Sequence, residues 1–129
     1  MKFISVFAWC LQIVSALIMA ETLFFKFTAA PESVYIFSTL GMEPYGRIGT
    51  GIVELIASIL LLIPSLVWLG AGLGLGLMSG AIMSHLTQLG IVVLNDGGRL
   101  FIYAMIVFIS CCILLILNRK QIPIIKNFF

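Results

Sequence analysis

Four stretches of this sequence, residues 3–25, 47–63, 65–88 and 99–117, are apolar almost without interruption. Each is near the roughly 20 residues that an α-helix needs to cross a hydrocarbon core of about 30 Å. Inside lipid the backbone must satisfy its own N–H and C=O groups, so a spanning segment is either a helix or one strand of a closed barrel. A barrel strand needs only about ten residues of alternating polarity, and these stretches are longer and do not alternate. They predict an all-α fold: an integral membrane four-helix bundle in a single transmembrane domain over residues 1–129.

Composition agrees with a lipid solvent. Hydrophobic residues make up 62% of the chain and charged residues 9%, with a mean hydropathy of +1.24; a globular domain carries about a quarter charged residues to meet water. The net charge of +2, without any long basic run, excludes a nucleic-acid partner. The partner this surface calls for is a bilayer.

The connections set the order in space. Ile63-Pro64-Ser65 only turns the chain, so the second and third spans form an antiparallel hairpin. Asn95-Asp96-Gly97-Gly98 is a turn, because Asn, Asp and Gly tolerate positive φ. Only the first connection is long. Within it Pro31 opens and Gly41 closes a short interfacial helix over residues 31–40, with Val34, Phe37 and Leu40 leaning on the membrane surface. The first apolar stretch exceeds the roughly 7 to 15 residues of a signal-peptide core and is expected to stay as a span. There is no internal repeat.

Four spans put both termini on one side. That side carries Lys2, Arg119, Lys120 and Lys126 against Lys26, Arg47 and Arg99 on the other, so the positive-inside rule places the termini in the cytoplasm.

All five acids, Glu21, Glu32, Glu43, Glu54 and Asp96, belong to the half opposite the termini, together with Lys26, Arg47, His85 and Arg99. Loops need charge, which accounts for Glu32, Glu43 and Asp96. It does not account for Glu54, roughly 10 Å along the second span from Arg47. An ionisable group at that depth costs about 2.5 to 3.5 kcal/mol, so it should face the bundle interior and have a partner. At about 100° per residue Arg47, Thr50, Gly51, Glu54 and Ser58 share one stripe. Gln12, Ser15, Thr22 and Lys26 align on the first span, and Arg99, Tyr103 and Ser110 on the fourth. Glu54 is therefore expected to contact Arg47, Lys26 or Arg99. Glu21 points away from the polar stripe of a regular helix and carries less weight.

Helix directions bring Lys26, Glu54, His85 and Arg99 to one end of the bundle, under the segment 31–40. The candidates for ligand binding or proton handling are Glu54, Arg47, Lys26, His85, Arg99 and Tyr103, around a pocket opening towards the non-cytoplasmic leaflet. A lone His is more often a packing residue than a ligand, and no metal site is expected from one His and no Cys-x-x-Cys pair. Cys10, Cys111 and Cys112 read as small packing residues. Gly72, Gly76 and Gly80 make two overlapping small-xxx-small steps, a pattern for close helix packing within the bundle or a homodimer. No catalytic nucleophile or base stands out.

Lys26 after the first span, Gly51-x-x-Glu54 inside the second, the Pro64 turn and the glycine-rich third span together resemble the DoxX family of small bacterial four-helix membrane proteins, over residues 8–117. Phe24 and Phe25, rather than a glycine, precede Lys26 here. The resemblance implies a multi-pass protein of the bacterial cytoplasmic (inner) membrane. Some such proteins are membrane subunits of quinone-linked oxidoreductases or membrane partners of soluble redox enzymes, so the cofactor it points to is a quinone. A small-solute transporter or a membrane assembly protein using the same polar cluster stays open, as do catalysis and homo-oligomer formation.

Overall fold

The computed structural model of the protein describes residues 2–93 and 97–119. It is all-helical: α1 (Lys2–Phe27), α2 (Pro31–Thr39), α3 (Tyr45–Leu61), α4 (Val67–Ser84) and α5 (Arg99–Leu117), with a 3-10 turn at Pro64–Leu66 and a π-helical turn at His85–Leu89. α1 packs against α3 and α5, and α4 packs against the same two, so the four long helices close a ring. The segments Phe3–Phe27, Pro64–Leu89 and Arg99–Leu117 are long and apolar enough to cross a membrane, which makes this a multi-pass membrane protein. α3 has 17 residues and rises about 25 Å, short of a roughly 30 Å hydrocarbon core. Three spans rather than four thus meet the membrane's length on their own.

α1 ends where Ala29 turns to φ 54. The Ala30 N–H reaches the Phe25 carbonyl at 3.0 Å and the Ala29 N–H the Lys26 carbonyl at 3.4 Å, which satisfies carbonyls that the helix end would orphan. The same closure ends α2, with Gly41 at φ 73 and the Met42 N–H on the Phe37 carbonyl at 2.8 Å. Pro31 and Gly41 do bound this helix, but its apolar face does not lean outward. Phe37 and Ser33 are buried and turn down onto the bundle, because the open end of the four helices offers more apolar contact than the surface does. Gly97 and Gly98 take positive φ before α5; Asn95 and Asp96, read as part of that turn, lie outside the described residues, as do Lys120 and Lys126.

At the hairpin end the core is close-packed around Leu61, Val67, Val107, Cys111 and Leu114. Buried Gln12 donates to the carbonyl of Leu61 at 2.7 Å, capping the end of α3 from α1. Of the glycines on α4, those that admit a neighbour are Gly70 and Gly74. A Cβ at Gly70 would stand 2.8 Å from the Leu61 backbone nitrogen, and one at Gly74 would stand 2.8 Å from Cys111 Sγ. Gly72, Gly76 and Gly80 have nothing within 4 Å of that position. The expected close packing inside the bundle therefore sits on the other face of α4, which is apolar all round and gives no periodicity to set its rotation. Cys111 is buried, Cys112 half-buried and Cys10 exposed, all with free thiols.

Candidate functional site

Glu54 is 1% exposed. Its Oε1 lies 2.8 Å from Lys26 Nζ, and its Oε2 accepts from Thr22 Oγ1 at 2.6 Å. The three residues come from the stripes that periodicity picked out on α1 and α3. Thr22 and Lys26 are one turn apart on α1, so a single helix face supplies both partners. Gly51, one turn before Glu54, leaves room for the Phe27 ring, which would stand 2.7 Å from a Cβ there. That space lets the end of α1 lie against α3 at the depth of the carboxylate.

Arg47 is not the partner of Glu54. Its Nε donates to both carboxylate oxygens of Glu43, at 2.9 and 3.1 Å, and its Nη1 donates to the carbonyl of Lys26. Glu43 stands at i−4 and wins on proximity, and the Lys26 carbonyl is a helix-end acceptor. Arg47 thus fastens the end of α1 to the start of α3 from behind the site.

Beside the ion pair lies a cavity of about 690 Å³, walled by α1, α3, α4 and α5 and roofed by α2. Lys26, Glu54, His85, Arg99 and Tyr103 all line it; Arg47 does not. The remaining walls are mostly apolar, with Phe25, Ile36, Phe37, Leu77 and Leu100 among them. Phe25, standing where a glycine was looked for, is such a wall.

His85 is buried and opens the π-helical turn, its ring edge-on to Phe101 at 5.6 Å. Its Nδ1 meets the Gly90 carbonyl at 2.9 Å. A carbonyl only accepts, so Nδ1 carries the hydrogen, and Nε2 of the neutral ring is an acceptor. Arg99 reaches Glu21 at 3.9 Å and Glu32 at 3.7 Å, with its guanidinium carbon 5.9 Å from the centre of the Tyr103 ring. These are long contacts. The Nε of Arg99 is buried and has no hydrogen-bond partner among the described residues.

Three features were missed or underweighted in the sequence. Thr22 stood on the Lys26 stripe, a usable signal. Glu21 lies off that stripe yet reaches Arg99 from α1, and Glu32, read as loop charge, reaches it from α2. Only the fold of the 28–44 connection brings Glu32 back over the bundle. Among the described residues no group of His, Cys, Asp and Glu could hold a metal ion.

A family model, that of the DoxX-like family, matches residues 10–117. The chain belongs to the DoxX-like family. No curated protein and no solved structure matches it. Family membership agrees with the apolar helices in making this a small membrane-embedded protein, and the cavity is the feature of this DoxX-like chain from which a function can be argued.

Proposed function

We propose that this protein is a quinone-binding membrane subunit, or the membrane partner, of a redox enzyme, and that the cavity beneath α2 holds the quinone headgroup. The observation that carries the reading is the buried Glu54–Lys26–Thr22 cluster in the wall of a mostly apolar cavity. Its volume of about 690 Å³ lies inside the roughly 300 to 1,000 Å³ of small-molecule sites, which pair apolar walls with a few placed polar groups. A flat apolar ring carrying two carbonyl oxygens needs hydrogen-bond donors at its edges. Tyr103 offers a hydroxyl, and the Nε of Arg99, without a partner among the described residues, is a buried donor that calls for an acceptor. A bound quinone supplies two-electron, two-proton chemistry. The chain supplies groups that exchange protons beside it: the Lys26 ammonium as a donor, and the Glu54 carboxylate and His85 Nε2 as acceptors.

In this reading α3 completes a fourth span, and the site opens towards the non-cytoplasmic leaflet of a bacterial inner membrane with both termini in the cytoplasm. A through-channel for a small solute is less well supported, because the hairpin half is filled by Leu61, Val67, Val107, Cys111 and Leu114. The test is the quinone content of the protein purified in mild detergent, by mass spectrometry against the lipid extract of the same membranes. Quinone enriched to about one per chain is the expected result; a co-purified polar solute, or quinone at the level of bulk lipid, would turn the assignment down.

A further inference from the structure

We propose that the cavity opens sideways through the surface of α4 along Gly76 and Gly80, and that this portal passes the long hydrocarbon tail of the ligand into lipid. The inference rests on the headgroup reading above and adds the class of ligand: a long-chain amphiphile rather than a free small ring.

Gly76 and Gly80 are surface-exposed and are also walls of the cavity. One residue can be both only where the cavity meets the outside. A Cβ at either position would meet nothing within 4 Å, so the opening there is bare helix backbone with free space beyond it. Ser84, the next residue on the same face, also lines the cavity, and its hydroxyl donates back to the Gly80 carbonyl at 2.8 Å. That bond leaves no unbonded hydroxyl hydrogen facing an apolar chain. In the other direction Gly72 continues the strip, exposed and empty, outside the cavity walls. From Ser84 to Gly72 the strip covers about 18 Å, running from the cavity to just past the middle of the span Pro64–Leu89. A stripe of small residues on a membrane helix is ordinarily a packing face. Here the glycines that pack are Gly70 and Gly74, and the exposed ones continue a cavity.

The chemistry follows from the surroundings. The ligand's polar end is held among Lys26, Glu54 and Tyr103, and whatever leaves through the portal enters a hydrocarbon phase where only apolar chain is stable. Leu77 and Ala81 flank the glycines inside the cavity and give the tail apolar contact at its exit.

The test uses the full chain in nanodiscs and two probes, a quinone with a long isoprenoid tail and the same ring with a methyl group in its place. Each competes against photolabelling by a short-chain azido-quinone. Gly76→Leu/Gly80→Leu is expected to weaken the tailed probe about tenfold and leave the tailless one within about twofold. Gly72→Leu, lower on the strip, should weaken the tailed probe by a smaller factor and not touch the other. Equal loss of both probes would mean that the leucines fill the headgroup space, and unchanged binding of both would mean that no tail passes there; either overturns the portal. A change of oligomeric state without a change in binding assigns the strip to a contact between copies and overturns it too. A wild-type chain that binds neither probe overturns the headgroup reading first and the portal with it. A wild type that binds both, with leucine variants that do not discriminate, overturns the portal alone.

Discussion

Lys26→Met is expected to destabilise the protein by about 3 kcal/mol, near the lower end of what is lost when one partner of a buried ion pair is removed. The size comes from an asymmetry of burial. The side chain of Glu54 is 2% exposed and that of Lys26 14%, and Lys26 stands in the last turn of α1. The ammonium has a long stem and a route to the interface; the carboxylate has neither. Removing the lysine leaves Glu54 with Thr22 as its donor and a desolvated charge uncompensated. Glu54→Gln is much milder, under about 1 kcal/mol, because the amide oxygen still accepts from Thr22 and the lysine is free to move outward. The double variant should recover most of the lysine deletion. Reversible unfolding in mixed micelles reads all three, and equal losses from the two single variants would remove the argument from burial.

Gly70→Ala is expected to cost about 1 to 3 kcal/mol, the range for overpacking a close-packed site. The new methyl group would stand 2.8 Å from the Leu61 nitrogen and 3.0 Å from the Ala57 oxygen. Both are backbone of α3 and cannot swing aside as a side chain tip does. The same substitution at Gly72, with nothing within 4 Å, should be neutral or stabilising by up to about 1 kcal/mol, since alanine is the better helix former. The pair of variants isolates packing from propensity in one helix. If both shift the unfolding midpoint alike, α4 is rotated from the orientation described.

The contrast between α3 and α4 shows where sequence reasoning holds. On α3, Arg47, Gly51, Glu54 and Ser58 alternate with Ile52, Leu55, Ile56 and Ile59, and the buried and exposed faces follow that division. A charge in lipid has one tolerable direction, so one glutamate orients the helix. On α4 every residue from Val67 to Met78 is apolar or glycine, so no face is preferred by transfer free energy and the rotation is set by which glycines admit α3 and α5. The glycine spacing was visible, but its meaning was not. The partner of Glu54 was narrowed to three cations by shared height on the bundle. Choosing Lys26 over Arg47 required knowing that Glu43, four residues before Arg47, and the end of α1 both compete for the guanidinium. The roof is a third case. The bounds of α2 follow from Pro31 and Gly41, whereas the inward turn of Phe37 and the approach of Glu32 to Arg99 depend on the path of the 17-residue connection 28–44, whose direction local chemistry does not encode.

Photolabelling of the purified chain with an azido-quinone, mapped by peptide mass spectrometry, tests the central claim most directly. The expected pattern is label on cavity walls, around Phe25 on α1, Ile36 on α2 and Leu100 on α5. It should be displaced by excess unlabelled quinone and strongly reduced in Tyr103→Phe and in Glu54→Ala, with Ile52→Ala on the exposed face of α3 as the unaffected control. Label confined to outward residues such as Ile59 and Ile109, or undiminished in both cavity variants, would contradict a quinone headgroup site beneath α2.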